Sequence, residues 1–147
     1  MRRITIALGA IAAIALALAG VASAGGTQAK LELRKTSKGT ILVNAKGFTI
    51  YAFTKDSRNT DRCVKTNGCA TAWPPVTTSG KPIAGPGVKA ALIGTITPKH
   101  GVRQVTYAGH PLYTYIADTH PGQTTYLNFL QFGGRWPALD AAGREVK

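Results

Sequence analysis

Acidic residues are scarce in this chain: six Asp and Glu stand against 18 Lys and Arg in 147 residues. Methionine occurs once, at position 1, and cysteine twice, as Cys63 and Cys69. With no methionine left after removal of a leader and both cysteines oxidised, a blue-copper centre is excluded. Beyond residue 24 only three serines remain, Ser37, Ser57 and Ser79, and none lies in a nucleophile elbow. There is no phosphate-cradling glycine loop and no H-E-x-x-H pair. Long helical periodicity is also missing after the first 24 residues, so the class is read as all-β with little helix. No catalytic constellation is left, and the chain is expected not to be an enzyme.

The first 24 residues read as an export signal. Arg2 and Arg3 form the charged start, Ile4 to Ala19 the apolar stretch, and Ala22-Ser23-Ala24 the small-residue cleavage site. The apolar stretch is shorter than the roughly 20 residues a membrane-spanning helix needs. Cleavage before Gly25 is therefore expected, with no transmembrane span in the mature chain and residues 25–147 as a single domain. The location is extracytoplasmic, secreted or periplasmic. Sixteen basic and six acidic residues remain, a net charge of +10. Nine of those bases (Lys30, Arg34, Lys35, Lys38, Lys46, Lys55, Arg58, Arg62 and Lys65) share one stretch with only Glu32, Asp56 and Asp61. Such a surface attracts anionic cell-envelope polymer or lipid headgroups; no nucleic-acid partner is expected. An even cysteine count in an exported chain points to a disulfide, and Asn67-Gly68 supplies a tight turn before the second sulfur. Five residues separate the pair, which argues against a C-x-x-C redox site, and neither flank offers zinc ligands.

The chain also repeats itself. Gly47 to Asp56 (GFTIYAFTKD) and Gly109 to Asp118 (GHPLYTYIAD) share the pattern G-x-x-[I/L]-Y-x-[F/Y]-x-x-D at an offset of 62, and Trp73-Pro74 recurs as Trp136-Pro137 at an offset of 63. Self-similarity at a fixed period signals repeated structural units. The repeats are placed at about 36–76 and 98–140. Each is read as three short strands: alternation about Leu31 and Leu33, the run Ile41-Leu42-Val43 and the segment Phe48–Phe53 in the first, then Ala91–Thr97, Val102–Tyr107 and Pro111–Ile116 in the second. Asn44 to Gly47 and Ala108-Gly109 make turns, Pro74 to Gly87 an irregular crossing loop, and Cys69–Trp73 a single helical turn. Three strands are too few to stand alone, so the copies are expected to pack together as one small sandwich or distorted barrel with long Pro/Gly-rich loops.

Strand parity puts Ile50 and Leu112 on one face with Phe48 and His110, and Tyr51 with Phe53, or Tyr113 with Tyr115, on the other. A strand apolar on both faces is either covered twice or presents an aromatic platform; core packing is the preferred reading. Asp56 and Asp118 are equivalent aspartates, but an aspartic-protease dyad needs glycine two positions on, where Arg58 and His120 stand. They fall where the strands end and are read as turn-formers bonding backbone amides. His100, His110 and His120 are the candidates for copper or zinc ligation, disfavoured because no two are close in sequence.

The doubled phrase, the C-x-x-x-x-x-C loop and the Trp-Pro segments resemble a bacterial family of secreted or lipid-anchored tandem-repeat proteins, the secreted repeat of unknown function. The resemblance spans roughly Gly39 to Gly143. It implies that Tyr51, Phe53 and Asp56 are one motif and Tyr113, Tyr115 and Asp118 the other, with Cys63 and Cys69 as the bridge and Trp73 and Trp136 in the repeat core. Many members carry a lipid-acceptor cysteine; none stands near the cleavage site here, which favours a soluble form. The expected function is a non-enzymatic binding or structural module of the cell envelope without a cofactor. The alternative is a redox, metal- or haem-handling accessory protein using the three histidines.

Overall fold

The structure is a computed structural model that describes residues 26–147; the expected export signal, residues 1–24, lies outside the described residues. Strands β1 (Lys30–Thr36) and β2 (Gly39–Asn44) form an antiparallel hairpin, with Leu31 opposite Asn44 and Thr36 opposite Gly39. Ile41, Leu42 and Val43 are all buried, as a continuous apolar run in a doubly covered strand should be. Leu42 enters the main core with Ile50, Val105, Tyr107, Leu112 and Leu139, while Ile41 and Val43 pack against Ala138 on the other side. Asn44 ends the strand because its side-chain oxygen accepts the amides of Lys46 (3.0 Å) and Phe48 (3.1 Å), and Gly47 completes the turn at φ +82°.

The second half repeats this hairpin. Helix α1 (Cys69–Ala72) is the single helical turn, and β3 (Ile83–Ala84) pairs in parallel with β1. After a 3₁₀ turn at Ala90–Leu92 come β4 (Ile93–Lys99) and β5 (Val102–Tyr107), an antiparallel pair. Ala108 and Gly109, at φ +51° and +85°, turn the chain into β6 (His110–Pro111), the residues expected there. The remainder is the hairpin of β7 (Phe129–Gln131) and β8 (Gly134–Trp136), then the pair β9 (Ala138–Leu139) and β10 (Glu145–Val146).

The all-β reading holds, as four small sheets with no closed barrel. Three boundaries differ from expectation. The strand expected at Ala91–Thr97 starts and ends two residues later, because the tight turn sits at Gly101 (φ +75°) and a register irregularity after Ile96 absorbs Pro98, which has no amide to donate. The Pro74–Gly87 loop is tied down: besides β3, Val76 donates to Leu112 (2.8 Å) and Thr78 to Arg103 (3.0 Å). The segments Phe48–Phe53 and Pro111–Ile116 are not regular strands. Each changes partner residue by residue, and this switching divides the sheets.

That switching interlocks the halves. Ile50 donates to Leu42 of its own hairpin (3.1 Å), as Leu112 does to Val105 (3.0 Å). One step on, Tyr51 and Tyr113 exchange backbone hydrogen bonds with each other (2.8 and 2.9 Å). The next amides cross over: Ala52 donates to Pro137 (2.8 Å) and Thr114 to Pro74 (2.9 Å), then Thr54 to Arg135 (3.0 Å) and Ile116 to Ala72 (3.1 Å). Each Trp-Pro segment therefore completes the other repeat. Fragments 26–87 and 88–147 are expected to lack near-ultraviolet circular dichroism separately and to regain the intact chain's spectrum when mixed; a native-like spectrum from either alone would contradict the interlock.

Candidate functional site

The crossed backbone brings the two motifs face to face. The Tyr51 hydroxyl donates to Asp118 Oδ2 (3.0 Å), and the Tyr113 hydroxyl donates to Asp56 Oδ2 (2.7 Å). Each aspartate thus holds the other repeat's tyrosine. As read from sequence, Asp56 also forms a turn, its Oδ1 accepting the amide of Arg62 (2.8 Å). Asp118 departs from that reading: among the described residues its side chain takes no backbone amide, and its buried Oδ1 meets no donor. The two carboxyls do not form a dyad, since each meets a tyrosine.

Three of the motif's four aromatic positions lie inside, as the core reading expected, and the fourth, Tyr115, is only partly buried at the edge of the cluster. Tyr51 and Tyr113 are fully buried and Phe53 nearly so, whereas Ile50 and Leu112 fill the separate main core on the opposite face. Trp73 and Trp136 stack at 4.0 Å with planes 3° apart, Tyr115 stacks on Trp73 (3.9 Å) and Phe53 on Trp136 (4.1 Å). Tyr51 meets Trp73 and Tyr113 meets Trp136 edge-on, both at 5.2 Å. Edge contacts suit the ring quadrupole, and the stacked rings bury large apolar faces against each other. Gln131 satisfies both indoles: its side-chain oxygen accepts from Trp73 (2.7 Å), its carbonyl from Trp136 (3.2 Å).

Burial dominates the electrostatics of this lock. It pushes the Asp56 and Asp118 carboxyls up to about 6, although the donated hydroxyls and, at Asp56, the Arg62 amide act in the opposite sense. Burial, then the charge of the facing aspartate, raises both tyrosine hydroxyls far above their ordinary value, so they stay protonated and able to donate.

Cys63 and Cys69 are bridged, with Cα atoms 5.3 Å apart, and the bridge packs against the aromatic cluster. The loop between them holds a 3₁₀ turn at Cys63–Lys65, positioned by buried Asp61, whose Oδ1 accepts the Val64 amide (2.8 Å). The histidines are dispersed: His100 is exposed in the β4–β5 turn, His110 half-buried in β6, and His120 exposed beside Thr119. Among the described residues no three His, Cys, Asp or Glu side chains are grouped to hold a metal ion.

The acids are withdrawn from the surface field. Glu32, Glu145 and Asp140 are ion-paired with Lys30, Arg135 and Arg144, and Asp56, Asp61 and Asp118 are occupied inside the fold. The other eight bases between Arg34 and Lys65 are all exposed. Lys55, Arg62 and Lys65 line one hollow of about 360 Å³ with Phe53, Thr66 and Phe132. Sequence reasoning located the cations but not this hollow, because Phe132 comes from the other repeat.

Fold and lock together define an internally duplicated, exported β-protein whose two motifs close on each other. The chain belongs to the family described as secreted repeat of unknown function, which matches it over residues 32–77 and 94–140. That places it outside the cytoplasm, and no helix among the described residues is long and apolar enough to cross a membrane. No curated protein and no solved structure matches the chain.

Two outcomes follow from the lock. Trp136→Ala is expected to cost about 3–5 kcal/mol in urea unfolding, and Tyr113→Phe about 1 kcal/mol. The aspartates, raised above their unfolded value of 3.8, stabilise the fold fully below that pH and lose this contribution as pH rises through about 6. His110, lowered by burial, works in the opposite direction around its ordinary 6.5. The clean measurement is therefore the difference between wild type and Asp56→Asn/Asp118→Asn: wild type should lose stability relative to the variant between about pH 4 and 6.5. Carboxyl-carbon NMR midpoints near the ordinary value for both aspartates would refute it.

Proposed function

We propose that this protein is a non-enzymatic binding module of the cell envelope that holds anionic polymer on the cationic face of its first repeat. The observation that carries the reading is the separation of charge: all six acids are paired or internal, while eight bases from Arg34 to Lys65 stand exposed. Charge alone gives non-specific attraction. The distribution adds a direction, because the second repeat carries no Lys or Arg from Gln104 to Gly134. Charging for solubility alone gives no reason to gather nine of the sixteen cations between Lys30 and Lys65 and to leave Gln104 to Gly134 of the second repeat without any.

The mature protein is expected to cosediment with isolated cell envelope at low ionic strength and to be released as added salt shortens the screening length from about 30 Å at 0.01 M to about 8 Å at 0.15 M. Failure to sediment at the lowest salt would dismiss the reading.

A further inference from the structure

We infer that the hollow between the disulfide loop and the β7–β8 hairpin is a binding site for one anionic segment, phosphate or carboxylate, of a polyol or sugar chain. This rests on the envelope-polymer reading and gives it a location. The hollow holds about 360 Å³ and is lined by Phe53, Lys55, Arg62, Lys65, Thr66 and Phe132. Among the described residues none of its three cations forms an ion pair, whereas Lys30, Arg135 and Arg144 elsewhere do. Three like charges around one concavity, of which only Arg62 feels a nearby carboxylate, Asp56, repel each other, and an entering anion relieves that repulsion.

The cations are also held in place. The Arg62 amide is fixed by Asp56 Oδ1 (2.8 Å), its guanidinium donates to Ser57 Oγ (3.1 and 3.4 Å), and Thr66 Oγ1 donates to its carbonyl (3.0 Å). The Cys63–Cys69 bridge closes the loop that carries Lys65. Across the hollow, the stem of Lys55 lies against Gly133 and Gly134, where an added methyl would come within 3.6 Å and 2.9 Å of it. A fixed guanidinium on a closed loop lowers the side-chain freedom lost when an anion binds beside it.

Two further observations point the same way. Phe132 adopts φ +54° beside Gly133 at +78°, a two-residue hairpin turn in which Asn is the unstrained choice. Its ring gives the hollow an apolar wall, suited to the carbon face of a polyol or sugar. The duplication supplies an internal control: the counterpart of Lys55 is Ala117, so the scaffold does not require a cation there. A concave site selects a chain segment; a lipid bilayer presents a flat sheet.

The test uses the full mature chain with two defined probes, a short poly(glycerol phosphate) and an oligogalacturonate, titrated by fluorescence anisotropy. Lys55→Gln/Arg62→Gln/Lys65→Gln is compared with Lys81→Gln/Lys89→Gln/Lys147→Gln, which removes the same charge from exposed positions elsewhere. The first triple variant should weaken binding to the better probe at least about tenfold and flatten its salt dependence, the second less than about threefold. Phe132→Asn, which suits the turn, should weaken binding about threefold without changing the salt slope. The preferred probe identifies the anion as phosphate or carboxylate. Equal losses in the two triple variants would overturn the site while leaving the envelope reading intact. Envelope cosedimentation without binding of either probe, or a loss of binding to phosphatidylglycerol vesicles confined to the first triple variant, would overturn the ligand class. Absence of envelope association would instead defeat the broader reading.

Discussion

The structure depends on two tyrosines that meet their own duplicates. Tyr51 and Tyr113 exchange backbone hydrogen bonds, and each hydroxyl reaches the aspartate that follows the other. This has the form of an isologous interface, in which residue i touches j and j touches i, closed within one chain. Everything nearby obeys it: the Trp73–Trp136 stack joins the halves, Phe53 and Tyr115 cap its two ends, and each Trp-Pro segment supplies carbonyls to the opposite motif. A similar exchange recurs at the rim, where Asn59 donates to Gly109 (2.7 Å) and Gly122 to Gly47 (2.8 Å). Hydrogen bonds of this kind contribute only about 1 kcal/mol each; their weight lies in being mutually dependent.

Much of this was legible in the sequence, and the rest was hidden for a physical reason. Duplication, all-β class, the single turn at Cys69, the bridge and the two-faced burial of Ile50 and Tyr51 all follow from short-range pattern. The Tyr–Asp crossover left a trace that was only half read. An aspartate five residues after its tyrosine cannot share that tyrosine's strand face, so a buried hydroxyl has to find its acceptor outside its own strand, and the equivalent aspartate of the other copy is one candidate. The motif segments misled because alternation signals extended chain without saying whom it pairs with, and these segments pair with a different partner at each residue. The hollow was invisible because its wall, Phe132, lies far along the chain from its cations.

Duplication also separates what stabilises the fold from what faces outward. The stack, the lock and the main core draw equivalent residues from both halves, such as Leu42 with Val105 and Ile50 with Leu112. The loops joining each aspartate to its Trp-Pro segment are unlike. The first carries the disulfide and Arg58, Arg62 and Lys65; the second leaves Phe129 and Leu130 exposed and has no cation before Arg135. Substitution in these loops alters the surface of one half without touching the shared interior.

The exchange of Trp-Pro segments bears on the order in which the chain becomes structured. Ala52 finds its acceptor in Pro137, and the ring that covers Phe53 belongs to Trp136, both at the far end of the second repeat. While the chain threads outward from its N-terminus, the emerged part has hairpins and a local sulfur bridge but no way to close its aromatic centre. A polypeptide built like this stays slack through passage and sets only when its second repeat is complete, so its topology by itself suits an exit route that admits unfolded chains.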